Sequence, residues 1–322
     1  MRRVFISTTS FGKEEGSPLE LLRNAGLEIH LNPYGRKLTE DEAMELLSDM
    51  DYLIAGTEPL TARVLNSAKK LKVISRCGVG MDNVDMEAAS LLGIKVFNTP
   101  YGPTQSVAEL TVGLMLDLLR RVTAMDRDVR RGTWKKRMGN LLNGKRVGII
   151  GFGKIGQKVA GLLMPFGVEL SYCDICACDC SLPASAMAMD ELLPWADIVT
   201  LHCSAPQSCG ALIRAEELSK MKKGSWLVNA SRGGLIDEQA LYNALKDGHL
   251  AGAALDVFDK EPYSGPLAGL DNVILTPHIG SYAKEGRIEM EIQAAENLLK
   301  GLSEKTRTEG KTRTELKDKD QD

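Results

Sequence analysis

Residues 147–156, Val-Gly-Ile-Ile-Gly-Phe-Gly-Lys-Ile-Gly, constrain this chain more than any other stretch. The small and apolar residues at its start read as a buried strand. Gly151, Gly153 and Gly156 then form a G-x-G-x-x-G turn, and residues 157–166 carry the apolar spacing of a helix. Each glycine has a physical reason. The first lets the chain turn tightly off the strand, the second lets backbone come close to a pyrophosphate, and the third lets the helix pack on the sheet. The N–H groups at the helix start attract the phosphates. A second strand at 169–173 ends at Asp174, about 20 residues beyond the glycines, where a carboxylate accepts the ribose hydroxyls of NAD. The glycine pattern alone is weak. With the strand before it, the helix after it and the acid at its place, it reads as a dinucleotide site, against the alternative of a glycine-rich turn with no ligand.

The same β-α rhythm continues around this unit. Strands are expected at 147–150, 169–173, 198–201, 226–229, 252–255 and 273–275. The first hundred residues carry a separate set, with strands at 3–7, 27–31, 52–55 and 72–75 and helices at 18–24, 39–48 and 61–67. Such alternation implies an α/β fold with parallel sheets covered by helices on both faces, and 322 residues suffice for two domains. Thr39 with Glu42, and Ser106 with Glu109, have capping-box spacing. The second pair is expected to open a long helix at 107–121, after the break at Pro100-Tyr101-Gly102-Pro103, as the passage between domains. A helix after Tyr282 is expected to reach about Gly301 and return to the first domain. Residues 303–322 are almost wholly Glu, Lys, Thr, Arg and Asp and read as a charged, disordered tail.

A net charge of −3 gives no reason to expect a nucleic-acid partner. Only Val4-Phe5-Ile6 follows the opening Met-Arg-Arg before a polar run, so no signal peptide is expected. No apolar stretch approaches a membrane span. The seven cysteines are odd in number and read as reduced thiols, which places the chain in the cytoplasm. The basic run at 130–137 is either a solvated surface segment or a basic lip over an acidic substrate.

Three segments put ionisable residues just past apolar strands, the edge at which open α/β sheets bind ligands. They are Asn229-Ala230-Ser231-Arg232-Gly233-Gly234, Asp256-Val257-Phe258-Asp259-Lys260-Glu261-Pro262, and Thr276-Pro277-His278-Ile279-Gly280. Oxidising a 2-hydroxy acid needs a base for the hydroxyl proton and a cation for the carboxylate. His278 is the natural base, because imidazole titrates near neutral pH. Glu261 would orient it, and Arg232 would clamp a carboxylate through two parallel hydrogen bonds. The alternative is a surface ion pair between Arg232 and Glu261, with His278 capping a turn. His202 faces the cofactor or serves structure, and Trp134, Trp195 and Trp226 read as packing residues.

The chain resembles the NAD-dependent D-isomer-specific 2-hydroxyacid dehydrogenases, and within them the phosphoglycerate dehydrogenases. The resemblance lies in Arg76-Cys77-Gly78-Val79-Gly80-Met81-Asp82-Asn83-Val84-Asp85, Ser106-Val107-Ala108-Glu109, the 151–156 turn, the 229–234 segment, Ala253-Ala254-Leu255-Asp256-Val257-Phe258, Glu261-Pro262 and Pro277-His278. It implies two Rossmann-like domains with parallel sheets. The substrate domain would be discontinuous, residues 1–99 and 282–302, around an NAD-binding domain at 100–281. It also implies a homodimer, with 107–121 and the basic run as interface.

Residue by residue, the resemblance makes Arg232, Glu261 and His278 the catalytic trio. It gives the Gly78-Val79-Gly80 loop, with Arg232, to the substrate carboxylate. Gly151, Gly153, Lys154, Ile155 and Gly156 would hold the pyrophosphate and Asp174 the adenosine ribose. Cys203, Ala230, Ser231, Asp256 and Gly280, with Arg232 and His278, would line the nicotinamide half. Asp174, with no arginine just after it, favours NAD over NADP.

Two features depart from the family pattern. Phosphoglycerate dehydrogenases usually carry a phosphate-binding arginine after the third strand, where this chain reads Ala55-Gly56-Thr57-Glu58. Glu58 would repel a phosphate there, unless Lys135, Lys136 and Arg137 compensate. The substrate is therefore a small D-2-hydroxy or 2-keto acid, with 3-phosphoglycerate one candidate and glyoxylate or hydroxypyruvate reduction the alternative. A NAD-sensing binding protein is the reading from another class. The regulatory domain that longer members append is not expected here. The second departure is the cluster Cys173, Cys176, Cys178 and Cys180, which lacks the paired spacing of a zinc site, so no metal is expected.

Overall fold

The computed structural model describes residues 2–176, 181–204 and 210–317, the last fourteen as backbone only. The chain divides into two units, Met1–Pro103 with Tyr282–Asp322, and Thr104–Ser281.

In the first unit the order is β1 Arg2–Ile6, α1 Ser17–Asn24, β2 Leu27–Leu31, α2 Glu40–Leu47, β3 Tyr52–Ala55, α3 Ala62–Ser67, β4 Val73–Arg76, α4 Met86–Leu91 and β5 Lys95–Phe97. All five strands are parallel, in the order β2-β1-β3-β4-β5. Alternating side chains serve the two faces, as strand geometry requires. Phe5, Leu53 and Ile74 pack with Ala43, Leu47, Val64 and Ala88 from α2, α3 and α4. Val4, Ile6, Ile54 and Val73 pack with Leu22 of α1 and with Met290, Ala294 and Leu298 near the end of the chain. The Thr39–Glu42 capping box forms in both directions.

The second unit follows with α5 Gly102–Arg120, α6 Val122–Arg130, β6 Arg146–Ile150, α7 Lys154–Leu163, β7 Glu169–Cys173, β8 Ala184–Ala186, α8 Met189–Trp195, β9 Ile198–Leu201, α9 Ala215–Lys220, β10 Trp226–Asn229, α10 Glu238–Lys246, β11 Gly252–Leu255 and β12 Val273–Leu275. Its seven strands are again parallel, in the order β12-β11-β10-β9-β6-β7-β8. The middle strands are buried on both faces, so they read as unbroken apolar runs. Val147, Ile149, Val228 and Ala254 meet α5 and α7, while Ile150, Leu201, Leu227 and Leu255 meet α8, α9 and α10.

One device recurs at the starting edge of both sheets. Asp51 accepts hydrogen bonds from Arg3 N–H and Lys72 Nζ, each at 3.0 Å. Asp197 accepts from Arg146 N–H at 3.0 Å and Lys222 Nζ at 2.5 Å. Each carboxylate ties the start of the central strand to its neighbours.

Several expectations are corrected. The long helix starts at Gly102, so Ser106 is buried inside it instead of capping it. Pro103 stands in the first turn, where its missing N–H costs nothing, and a Cβ on Gly102 would lie 2.7 Å from Gly286 O. The helix then breaks at Arg121, a non-glycine residue with φ of 55°, before α6. The last helix, α11, spans Lys284–Lys317, so 303–317 continue it where an unstructured tail was expected. Glu, Lys and Arg are good helix formers. Residues 318–322 lie outside the described residues.

Candidate active site

In the second unit β6 lies between β9 and β7, the point at which the strand order reverses and ligands settle beyond the strand ends. Gly151 leaves β6 with φ of 91°, and a Cβ there would lie 2.5–2.6 Å from the His202–Cys203 peptide. A Cβ on Gly156 would overlap Gly151 O, while one on Gly153 would meet nothing within 4 Å. The turn is therefore tight inside and open outside, where α7 begins with Lys154 and Ile155 in its first turn. Asp174 Oδ2 accepts Phe152 N–H at 2.5 Å and Oδ1 accepts Cys176 N–H at 2.9 Å. Each carboxylate oxygen keeps a second lone pair for a ribose hydroxyl. An open helix N-terminus beside a fixed acid fits NAD.

The strands β10, β11 and β12 are adjacent, so the segments that follow them share one edge. Past β10, Asn229 is buried; its side chain donates to Arg232 O at 2.8 Å and accepts from Ser231 N–H at 3.1 Å. Ser231 Oγ donates to Leu201 O at 2.5 Å, and Arg232 Nη1 to Ser231 O at 2.7 Å. Ala230 is buried beside them. A Cβ on Gly233 would overlap Phe258 O, so this loop packs directly on the next.

Past β11, Asp256 is wholly buried. Its Oδ1 accepts from Thr276 Oγ1 at 2.5 Å and Ile279 N–H at 2.8 Å, and its Oδ2 accepts from Gly280 N–H at 2.7 Å. One carboxylate thus braces the turn that carries His278. That turn holds His278 at φ of 54°, a conformation non-glycine residues rarely adopt. The ring is about half exposed, and its Nδ1 lies 3.0 and 3.1 Å from the two oxygens of Glu261. A carboxylate there requires the proton on Nδ1, which leaves the Nε2 lone pair available. Glu261 is fixed in turn by Phe258 N–H at 3.2 Å. The structure therefore joins Glu261 to His278.

His202 is half-buried, with Nε2 2.9 Å from Thr200 Oγ1, and desolvation of the ring pushes its pKa down to about 3. That shift favours the neutral ring. Burial also pushes the Cys203 thiol up to about 11. Cys173 belongs to β7 and Cys176 is exposed, while Cys178 and Cys180 lie outside the described residues. Among the described residues no three His, Cys, Asp or Glu side chains converge as for a metal, and no helix is long and apolar enough to cross a membrane.

In the first unit, the loop 78–80 follows β4. The Gly78 N–H is engaged, donating to Thr99 Oγ1 at 2.7 Å and Arg76 O at 3.0 Å. Of the three amides expected to grip a carboxylate, those of Val79 and Gly80 meet no acceptor among the described residues. Glu58 corrects an expectation. It is turned inward and buried, with Oε1 taking Ser7 Oγ–H at 2.7 Å and Oε2 taking Gly56 N–H at 3.0 Å. Burial raises its pKa. Its carboxyl shapes the loop and does not face a substrate. In the basic run, Arg130 pairs with Asp126 and Arg137 with Asp128, both at 2.8 Å. Trp134, read as packing, is 84% exposed.

Sequence reading missed Thr99 and gave no role to Asn229 or Thr276, though both lie in segments it singled out; the signal in each case is only a polar residue adjoining a strand end.

Comparison with known proteins gives a consistent result. A model of the D-isomer specific 2-hydroxyacid dehydrogenase NAD-binding domain matches residues 112–280. A hydroxypyruvate reductase of Thermotoga maritima is 38% identical, over 82% of this chain and 89% of that protein. A D-3-phosphoglycerate dehydrogenase of Methanocaldococcus jannaschii is 42% identical over 82% of this chain but 52% of its own length, so this chain spans about half of that relative. The solved structure of a glyoxylate reductase from Paecilomyes thermophila superposes with a TM-score of 0.83 at 30% identity, over 92% of this chain and 94% of that one.

Proposed function

The chain belongs to the D-isomer specific 2-hydroxyacid dehydrogenase family, NAD-dependent oxidoreductases with two Rossmann-like domains, and from that premise we propose how its residues divide the work and which acid they take. His278 Nε2 exchanges the proton of the substrate hydroxyl. Glu261 holds the ring by Nδ1 and keeps its Nε2 turned to the substrate. Arg232 binds the substrate carboxylate and polarises the carbonyl. As the family resemblance implies, the loop Gly78-Val79-Gly80 offers the N–H groups of Val79 and Gly80 to a substrate carboxylate. NAD(H), when bound, accepts or supplies the hydride. Gly151, Gly153, Lys154, Ile155 and Gly156 face its pyrophosphate and Asp174 its adenosine ribose. Cys203, Ala230, Ser231, Asp256 and Gly280 shape the nicotinamide half.

The observation that carries this reading is the His278–Glu261 contact at 3.0 Å, on a turn braced by a buried carboxylate and set beside the Arg232 loop. The substrate is a 2-keto acid with a small uncharged side chain. The loop 55–58 offers no cation, Glu58 points inward, and Arg137 is engaged by Asp128. Turnover of NADH with glyoxylate, hydroxypyruvate, pyruvate, 2-oxoglutarate and 3-phosphohydroxypyruvate tests it. Preference for glyoxylate or hydroxypyruvate supports the reading, and preference for the phosphorylated acid overturns the substrate class.

We further propose a cytoplasmic homodimer. Val122, Val129, Trp134, Met138 and Leu141 are all more than half exposed within twenty residues of one another, a concentration of large exposed apolar side chains that suits an interaction site. Sedimentation at micromolar concentration should give twice the 35.1 kDa of one chain; a mass of one chain contradicts it.

A further inference from the structure

Gly78 opens the 78–80 loop with φ of 149°, a backbone region closed to other residues, and the Arg76 guanidinium occupies the space a Cβ would need. A glycine is the least restrained residue in a chain, so something must hold it there. Thr99 does. It is wholly buried just beyond β5, and its Oγ1 accepts the Gly78 N–H at 2.7 Å while its own N–H donates to Gly78 O at 3.0 Å. Asn98 adds a second clip, donating from Nδ2 to Val79 O at 2.8 Å. The clip is itself anchored, because Asn297 of α11 donates to Asn98 O at 2.9 Å. Ser75 Oγ, on the strand leading into the loop, donates to Ala294 O of the same helix at 2.7 Å.

These bonds take up the Gly78 N–H and the carbonyls of Gly78 and Val79. The donors left over, among the described residues, are the successive N–H groups of Val79 and Gly80, and backbone N–H groups not taken up internally are available to an anion. We propose that Thr99, seconded by Asn98, is a positioning residue for the substrate carboxylate. It fixes Gly78 so that the Val79 and Gly80 amides stand ready before the acid arrives. The ordering of the loop is then settled on folding and does not weaken binding. This rests on the reading above that the loop 78–80 takes the substrate carboxylate.

Steady-state kinetics with the preferred 2-keto acid, together with NADH titration by fluorescence, test it in four variants. Thr99→Val keeps the buried volume and removes the acceptor. It should raise KM about tenfold, the factor matching roughly 1.4 kcal/mol, with kcat and the NADH Kd close to wild type. Thr99→Ser restores the acceptor and should bring KM back to within about threefold of wild type. Wild-type KM in Thr99→Val overturns the proposal. So does a joint loss of kcat, NADH affinity and Tm in both variants, which is the mark of a merely structural residue. Should Thr99→Val fail to fold, Asn98→Ala decides: a raised KM with intact NADH binding supports the proposal and an unchanged KM overturns it. Val79→Pro deletes one of the two free amides and separates the two readings. If it leaves KM unchanged, the loop does not hold the carboxylate and the underlying reading falls. If it raises KM while Thr99→Val does not, only the role of Thr99 falls.

Discussion

Four cysteines within the described residues differ sharply in environment, and their reactivity should follow. Burial pushes the Cys77 thiol up to about 12 and Cys203 to about 11, and it raises Cys173 as well, while Cys176 is exposed. The thiolate is the reacting form, so at pH 8 only about one Cys203 in a thousand is competent. Iodoacetamide followed by peptide mass spectrometry should label Cys176 well before Cys203 and Cys77. Equal labelling of Cys176 and Cys203 would contradict the burial described. The same scale shows what a sequence reveals and what it withholds. Arg232, Glu261 and His278 were singled out because each follows an apolar strand, and strand ends are where such sheets work; to that the structure adds the contact of His278 with Glu261 at 3.0 Å. The wiring that holds them was not legible. Asp256 meets Gly280 across 24 positions and Thr99 meets Gly78 across 21, and no local pattern announces either pair. Glu58 was misread for a related reason. Its side chain turns toward Ser7, 51 residues away in the chain, and that direction is set by tertiary structure.

Elements were legible where their apolar pattern was strong. The strands β2, β3, β7, β9, β10, β11 and β12 fall at the residues expected. The short pieces β5, β8, α4 and α6 were missed, since three to nine residues carry too little periodicity to stand out. Helix ends depended on competing signals. At α2 the capping box set the start, whereas at α5 Pro103 began the helix before the second box was reached. The starting edges of both sheets carry a prediction of their own. Burial disfavours charge on Asp197, yet Lys222 and the Arg146 N–H outweigh it and hold the carboxyl below its usual pKa; Asp51 is lowered in the same way by the Arg3 N–H and Lys72. A lowered folded-state pKa stabilises the fold above the unfolded value, near pH 4, and that contribution is lost as pH falls through the lowered one. Asp197→Asn should therefore lower Tm at pH 7 by a few degrees, on the order of 1 kcal/mol, with the difference from wild type shrinking toward pH 3. A difference that persists undiminished at pH 3 would show that the carboxylate charge is not what stabilises this edge.

At the scale of the whole molecule, two parallel sheets arise from one repeated local rule, and the chain leaves the first unit after β5 and rejoins it at α11. The return of the helix after Tyr282 was expected from the pattern of the chain, whereas the bounds of the discontinuous unit came only with the family resemblance. The outcome is a glycine turn open at the start of α7 in one unit and, in the other, a loop with two amides to spare. The central claim is that His278, held by Glu261, makes this a catalyst as well as a binder of NAD(H). The measurement that tests it most directly is NADH oxidation with the best small 2-keto acid in wild type and His278→Gln, alongside NADH titration of both. The account predicts turnover by wild type and a fall in kcat/KM of about a hundredfold or more in the variant, the usual range for losing a general acid or base, with NADH affinity kept. NADH binding without turnover of any acid by the wild type, or a variant as active as wild type, would contradict it.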